Sequence, residues 1–578
     1  MTLPISRWHT LRNQLGYIPK TLRLIWAATP GWTLLWLLLL VIQGLLPIAT
    51  VTLTKRLIDS LVAARAANGD WTAIRTTLAL VALMAGIILL GELLQSLSAW
   101  VRAAQTEYIQ DHIKDLVHAQ SVAVDLAFYE TPAYFDHLDQ ARSEADSRSL
   151  ALLQNSGALL QNGITFLAMG AVLLPYGAWL PPVLLLSALP ALVVVLHFDR
   201  RYHQWWQSAT AARRWAQYYD LVLTHSLVAA ELRQFGLGPY FRAAYQSIRK
   251  RLRTERLAQL QRQSLGKGAA GAFALLVTGL TLAWMVYRVL QGELTLGDLG
   301  LFYQAFQRGQ SLMQTLLGSA GQLYTHSLYL GNLFTFLELK PQIIDAHSPV
   351  AAPCTLKEGI RFHQVTFCYP GSERPALENF SLTLPAGKTV AIVGTNGAGK
   401  TTLIKLLCRL YDPQAGHIEL DGVDIRDLSL ADLRRRISVL FQAPINHHAT
   451  AAQNISFGDI QAQVGTEAIE AAARSAGAHE LITRMPQGYA TLLGKWFDNG
   501  IELSIGEWQR IGMARAFLRQ APIILLDEPT SAMDSWAEAD WFERFRTLAQ
   551  GRIGVIITHR FTIAMRRSDL CHGQRESG

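Results

Sequence analysis

A helical membrane domain of six spans followed by an α/β domain built round a phosphate-binding loop is the architecture this sequence predicts. Three observations predict it. The first part of the chain holds charge-free apolar runs long enough to cross a bilayer, the composition changes after Lys340, and a glycine-rich phrase lies between an apolar β-run and a helical run. At 578 residues the chain is too long for a single core, so at least two domains are required. The composition places the boundary between a membrane domain at 1–345 and a second domain at 346–578.

A span needs about 20 largely uncharged residues. Pro30 to Thr54 carries no charge and makes the first. Thr76 to Gly91, continuing past Glu92 to Val101, makes the second. Ser149 to Phe198 is fifty consecutive positions without Asp, Glu, Lys or Arg, enough for the third and fourth. The phrase "WLPPV" (Trp179–Val183) supplies the turn between them, since proline ends a helix. Gly268 to Tyr287 is the fifth, and Asp298 to Glu338, interrupted by Arg308, is the sixth.

The segment from Asp199 to Arg256 is rich in arginine, including Arg200, Arg201, Arg213, Arg214, Arg233, Arg249, Arg251 and Arg253, whereas "QGELTLGD" after the fifth span has no positive residue. The positive-inside rule therefore puts the basic segment and both termini in the cytoplasm, with the short link outside. This topology accounts for the net charge of +8 and removes the argument for a nucleic-acid partner. The charge-free spans exclude a soluble ATPase.

Arg7, Arg12, Lys20 and Arg23 alternate with Trp8, Leu11, Leu15 and Ile18, a pattern for a basic amphipathic helix on the membrane surface. An ordinary solvated helix is the alternative. The stretches "FYETPAYFDHLDQA" (128–141) and "AELRQFGLGPYF" (230–241) break the long helices in the cytoplasm with Pro or Gly, and read as loops or as short helices that dock on a partner domain. The four cysteines show no CxxC pairing, and adjacent His447 and His448 would face opposite ways in an extended strand, so neither set reads as a metal site.

The second domain alternates short β-branched runs with helical patterns, and its strands around "KTVAIVG" and "APIILLDEP" are nearly all apolar, as buried parallel strands are. Between the first of these and the helical "TLIKLLCRL" lies "GTNGAGKTT": Gly394, Thr395, Asn396, Gly397, Ala398, Gly399, Lys400, Thr401 and Thr402. Glycines let backbone N–H groups approach phosphate, and the helix N-terminus favours the anion. Lys400 would reach the β- and γ-phosphates of ATP, and the Thr401 hydroxyl would hold Mg²⁺. In "IILLDEP", Asp527 suits a Mg²⁺ ligand and Glu528 can take a proton from attacking water.

The ordered set of phosphate loop, "VLFQ" with Gln442, "LSIGEWQR", "LLDEPTSAMD" and "IITHR" with His559 resembles the nucleotide-binding domain of ATP-binding cassette transporters. With the preceding spans, nearly the whole chain resembles an exporter-type half-transporter. The resemblance implies that Tyr369 stacks on adenine, and that Gln442 touches Mg²⁺ and the water and signals to the membrane domain. It implies that His559 contacts the γ-phosphate and that Asp534 lies in the loop crossing to a second subunit. It also implies two copies sandwiching two ATP molecules, a homodimer in the cytoplasmic membrane, with coupling helices at 128–141 and 230–241. Ser504 and Gly506 would meet the γ-phosphate held by the opposite chain.

Two departures matter. Ile505 and Glu507 stand where the family phrase has glycine and glutamine. A carboxylate suits a helix N-terminus but would repel phosphate if it turned inward, and both placements stay open. After His559 the chain turns polar where the family adds a helix and apolar β-structure.

Gln304, Gln307, Arg308, Ser311, Gln314 and Thr315 recur at helical spacing in the sixth span, as the wall of a transport cavity or as an interhelical hydrogen-bond seam. The membrane domain is loosely similar to bacterial peptide exporters, including those for modified antimicrobial peptides. Lipid or amphipathic drug export is the alternative, and an ATP-gated channel or regulator a more distant one.

Overall fold

The computed structural model describes residues 16–66, 71–395, 397–462, 464–530 and 535–559. Arg7 to Leu15, Asn396 and Asp534 lie outside the described residues. The chain forms two compact units: Met1–Val122 with Asp136–Glu338, and Ala123–Phe135 with Leu339–Gly578.

The first unit is helical. Helix α1 (Tyr17–Ala28) buries Thr21 and Ile25, while Lys20 pairs with Glu338 at 2.5 Å and Tyr17 stacks on Phe334. It is followed along the chain by α2 (Pro30–Ala66), α3 (Trp71–Ala123), α4 (Leu126–Tyr129), α5 (Pro132–Leu173), α6 (Leu180–Ser208), α7 (Thr210–Thr224), α8 (Ala229–Gln234), α9 (Gly238–Leu290) and α10 (Leu296–Leu337), of which α4 and the first turn of α5 belong to the second unit. Helices α3 and α9 are each 53 residues long, about 80 Å at 1.5 Å per residue, far more than a bilayer core requires. Leu34, Leu38, Leu89, Leu93, Leu275 and Leu276 point outward, as lipid-facing residues do.

The turn between the third and fourth predicted spans corrects the sequence expectation. The chain reverses at Leu174–Trp179, and Pro181 and Pro182 sit inside the first turn of α6. A proline in the first turn loses no helical hydrogen bond, so it starts this helix rather than ending the previous one. The span count also differs. Among the described residues four helices are long and apolar enough to cross a membrane: Pro30–Ala66, Trp71–Ala123, Ala151–Tyr176 and Gly238–Leu290. Leu180–Val195 is a shorter apolar run. The segment read as the sixth span is helical, but Gln304, Gln307, Arg308, Gln310, Ser311 and Gln314 dilute its apolar character.

Polar side chains pin this unit from inside. Buried Gln105 donates to Thr33 Oγ1 at 2.9 Å and Thr29 Oγ1 at 3.3 Å. In the "TLGD" link Thr295 and Asp298 cap α10 reciprocally, and Asp298 also meets Lys55 at 2.5 Å and the Tyr176 hydroxyl at 2.7 Å. Asp59 accepts from the Gly297 N–H at 3.0 Å, so α2, the 174–176 turn and α10 are tied together at one end.

The second unit has two sheets. Strands β1 (Gly359–Phe367), β2 (Leu377–Pro385), β4 (Ala415–Leu420) and β5 (Val423–Asp424) form an antiparallel sheet in the order β2-β1-β4-β5. Strands β3 (Thr389–Val393), β6 (Ile437–Leu440), β7 (Ile523–Asp527) and β8 (Ile553–Thr558) form a parallel sheet in the order β3-β8-β7-β6. Every residue of β7 and β8 is buried, which explains their unbroken apolar sequence. Helix α11 (Lys400–Leu407) follows β3 and packs Leu403, Ile404 and Leu406 into the core shared with β1 and β4. A second core gathers α12 (Ala451–Ser456), α13 (Thr466–Ser475), α14 (Ile505–Leu518) and α15 (Ser535–Leu548) around Trp508, Ile511, Met513 and Trp541.

Residues 123–135 belong to this unit. Leu126 and Ala127 pack against its core, and Asp125 accepts from the Gln342 N–H at 2.5 Å. Glu130 accepts from Lys405 at 2.7 Å and from the Tyr411 hydroxyl at 2.6 Å. Burial would raise the Glu130 carboxyl, but these two donors outweigh it and hold it below the usual range. The rest of the 128–141 stretch is the start of α5, and the side chains from 132 to 150 lie outside the described residues. The second break, 230–241, stays with the helical unit and exposes Phe235 and Tyr240.

Candidate nucleotide site

The site begins where β3 ends. Gly397 and Gly399 take φ of +80° and +82°, a left-handed backbone that other residues adopt only with strain. A Cβ on Gly399 would lie 2.5 Å from the Ala376 carbonyl oxygen, so only glycine lets the loop turn into α11 there. Lys400, at the first position of that helix, is buried and curls back to donate to Gly394 O at 2.7 Å and Thr395 O at 2.9 Å. The ammonium is thus held inside the loop whose N–H groups would surround a phosphate.

Thr401 donates to Asp527 Oδ2 at 2.8 Å, joining the start of α11 to the end of β7. Burial pushes the Asp527 carboxyl up, and the Glu528 charge adds to this against the Thr401 bond and the Lys400 charge. A buried carboxylate with a threonine hydroxyl beside it is an oxygen-donor set that fits Mg²⁺, which prefers such ligands.

Glu528 is the residue under most constraint. It has φ of +50°, rare for a non-glycine residue and a conformation that persists where its surroundings dictate it. Its N–H donates to Ile557 O at 2.9 Å, and its carbonyl accepts from the Gln509 amide at 2.9 Å. Its carboxylate is bracketed, with Gln442 Nε2 3.2 Å from Oε2 and His559 Nδ1 3.4 Å from Oε1. Three segments far apart in sequence thus meet at one carboxylate. Gln509 was not singled out from the sequence. It lies in "LSIGEWQR", in the second turn of α14, where its amide reaches just past the end of β7.

Tyr369 is half-buried between Phe367, Tyr411 and Lys405, whose ammonium lies 5.0 Å from its ring centre, and its hydroxyl is 3.0 Å from Thr402 Oγ1. It therefore stands beside the phosphate loop, at the end of β1.

The phrase "LSIGE" opens α14. Ser504 is its N-cap, and Glu507 turns back to accept from the Ser504 N–H at 2.7 Å, while the Glu507 N–H reaches Ser504 Oγ at 3.4 Å. This is a capping box, for which glutamate and glutamine serve equally. Ile505 is 81% exposed, and Gly506 follows it in the first turn. The substituted positions thus leave the backbone N–H groups of the turn in place.

Gln304, Arg308, Ser311, Gln314 and Thr315 are exposed on the face of α10 opposite buried Leu301, Phe302, Ala305 and Phe306, and Gln307 is half-buried. Neighbouring Gln310, off that stripe, makes the interhelical bond, to Ser187 Oγ at 3.2 Å. His447 packs edge-on against Phe457, and His448 lies tilted against Trp496, so the two imidazoles have different ring partners.

A family model described as ABC transporter matches residues 377–531. The chain is 28% identical over 553 residues to the subtilin transport ATP-binding protein SpaT of Bacillus subtilis, covering 95% of this chain and 88% of that protein. It is 36% identical to the ATP-dependent lipid A-core flippase of Syntrophus aciditrophicus, over 55% of this chain and 53% of the flippase. It is 29% identical to the nisin transport ATP-binding protein NisT of Lactococcus lactis, over 67% and 65%. A solved structure of a bacterial Atm1-family ABC exporter with ATP bound has a TM-score of 0.77 over 94% of this chain and 93% of that one. At 24% identity that is a likeness of fold.

Proposed function

We propose, for a chain that belongs to the ATP-binding cassette transporters and carries its membrane and nucleotide-binding domains in one polypeptide, that two copies form a peptide exporter. ATP hydrolysis coupled to export is the activity of the chain. The observation that carries the peptide reading is the similarity to the subtilin transport protein along 95% of this chain, membrane domain included. The flippase similarity, spanning 55% of the chain, supports lipid or amphipathic export as the second reading. We place the protein in the cytoplasmic membrane with six spans, α6 and α10 completing the four most apolar helices.

In the proposed cycle Tyr369 stacks on adenine through its flat face. Lys400 and the N–H groups at the start of α11 hold the terminal phosphates. Thr401, Asp527 and Gln442 would be the oxygen donors for Mg²⁺, which would supply positive charge against the phosphates. Glu528 takes the proton of the attacking water, and Gln442 and His559, on either side of its carboxylate, orient that water and the γ-phosphate. The partner's Ser504 and Gly506 close the site. Residues 128–141, where Glu130 bonds to Lys405 and Tyr411, and 230–241 are the coupling helices.

Purified chain in proteoliposomes decides between the readings. An amphipathic cationic peptide should accumulate in inside-out vesicles with ATP and raise ATP turnover. Stimulation by lipid alone, with no peptide uptake, would overturn the peptide reading and favour the flippase reading.

Further variants probe the parts. Ser504→Ala should lower ATP turnover of the purified chain about tenfold to a hundredfold, since a hydrogen bond to a charged group contributes about 1.5–3 kcal/mol. Ile505→Gly should change it less than about threefold, because the exposed side chain leaves the N–H in place. An inert parent chain revived by Ile505→Gly with Glu507→Gln would overturn this assignment. Arg308→Ala should alter peptide-stimulated turnover far more than basal turnover, while equal loss of both would favour a structural seam.

A further inference from the structure

Away from the nucleotide site, strand alternation builds a cluster that short-range spacing does not reveal. Strand β1 buries Ile360, Phe362 and Val365, and β4 buries Ile418 and Leu420, so His363, His417 and Glu419 share the outer face of the sheet. The β1–β4 register sets His363 opposite His417, with Glu419 two residues further along β4. The two imidazoles stack with centroids 4.6 Å apart and planes 20° apart. His363 Nε2 lies 3.1 Å from one Glu419 oxygen and His417 Nε2 lies 3.1 Å from the other. The donor atoms all fall within 4.8 Å of one another.

We propose that His363, His417 and Glu419 form a binding site for one divalent transition-metal ion of the Zn²⁺ class. Two imidazoles and one carboxylate are a ligand set of that class, completed by water at the open position. Metal–ligand bonds of about 2.0–2.2 Å need donors about 3.3 Å apart, within small side-chain rotations of the arrangement found. The side chains of His363, His417 and Glu419 are 37%, 38% and 21% exposed, which leaves an entry path. Opposite Glu419, Arg361 has Glu358 at 3.8 Å, and Asp424 is paired with Arg426, so both neighbouring charges have partners of their own. Oxygen-preferring Mg²⁺ and Ca²⁺ have no comparable set here. The ion would clamp β1 to β4 just before Tyr369, where Gln414 already makes two hydrogen bonds of 2.9 Å to the Cys368 backbone.

The test uses full-length protein in nanodiscs, free of any histidine tag and without nucleotide. Calorimetric titration should show one Zn²⁺ per chain and no comparable binding of Mg²⁺ or Ca²⁺. Co²⁺ in its place should give visible absorption of a low-coordinate nitrogen and oxygen site. His363→Ala, His417→Ala and Glu419→Gln should each weaken Zn²⁺ binding by at least about tenfold, with ATP binding retained as evidence of folding. On the parent protein, Zn²⁺ should slow diethylpyrocarbonate labelling of His363 and His417, read by mass spectrometry. No stoichiometric Zn²⁺ binding, parental affinity in the folded variants, or labelling indifferent to Zn²⁺ would each overturn the site.

Discussion

Glu528→Gln is expected to bind ATP as the parent does and to lose turnover by about 10²–10⁴-fold, the contribution of a positioned general base. The substitution changes one oxygen to an amide nitrogen and little else. The backbone bonds that hold residue 528 at φ +50°, to Ile557 and from Gln509, involve no side-chain atom of that residue and survive. Gln442 and His559 keep a neighbour of the same shape. An amide cannot accept the proton of water, so the chemical step fails while the binding step stands. ATP that is held but not cleaved should also keep two copies together. Turnover by phosphate release and dimerisation by light scattering read the two effects separately. Hydrolysis at the parental rate would remove Glu528 from its role as base.

Lys400→Ala is expected to weaken ATP binding by at least about a hundredfold. The ammonium is buried in the loop and bonded to two of its carbonyls, so it exchanges those acceptors for phosphate oxygens without reaching out of the site. Each hydrogen bond to a charged group is worth about 1.5–3 kcal/mol, and about 1.4 kcal/mol is a factor of ten in affinity. Alanine removes the donors and the positive charge together but keeps the helical start of α11. Equilibrium titration with a fluorescent ATP analogue measures the loss, and unchanged affinity would overturn the phosphate-loop assignment.

Much of this was legible along the chain because it rests on local properties. Charge-free runs report helices that lipid can surround, whatever their neighbours do. The phosphate loop is contiguous, and its Gly397 and Gly399 are required by backbone angles within that loop. The apolar run of β7 reports a strand covered on both faces. The prolines at 181 and 182 misled because a proline disfavours continuation of a helix but accommodates its first turn, and only the folded chain shows on which side the helix lies.

What the sequence by itself determined is therefore the two-part architecture, the helical character of the first part, and the glycine-rich loop between β3 and α11. Only the tertiary structure decided where Glu507 points, because a carboxylate at that position can face phosphate or cap its own helix, and the 2.7 Å bond to the Ser504 N–H selects the cap. It alone joined residues 123–135 to the α/β unit, through contacts with Lys405 and Tyr411 more than 270 positions away. It alone brought Gln442, Gln509 and His559 to Glu528, and His363 to His417 and Glu419. Contacts of that kind depend on strand register and on which helix face meets which sheet. Those choices are settled by packing the whole core at once, so no short window of residues contains them.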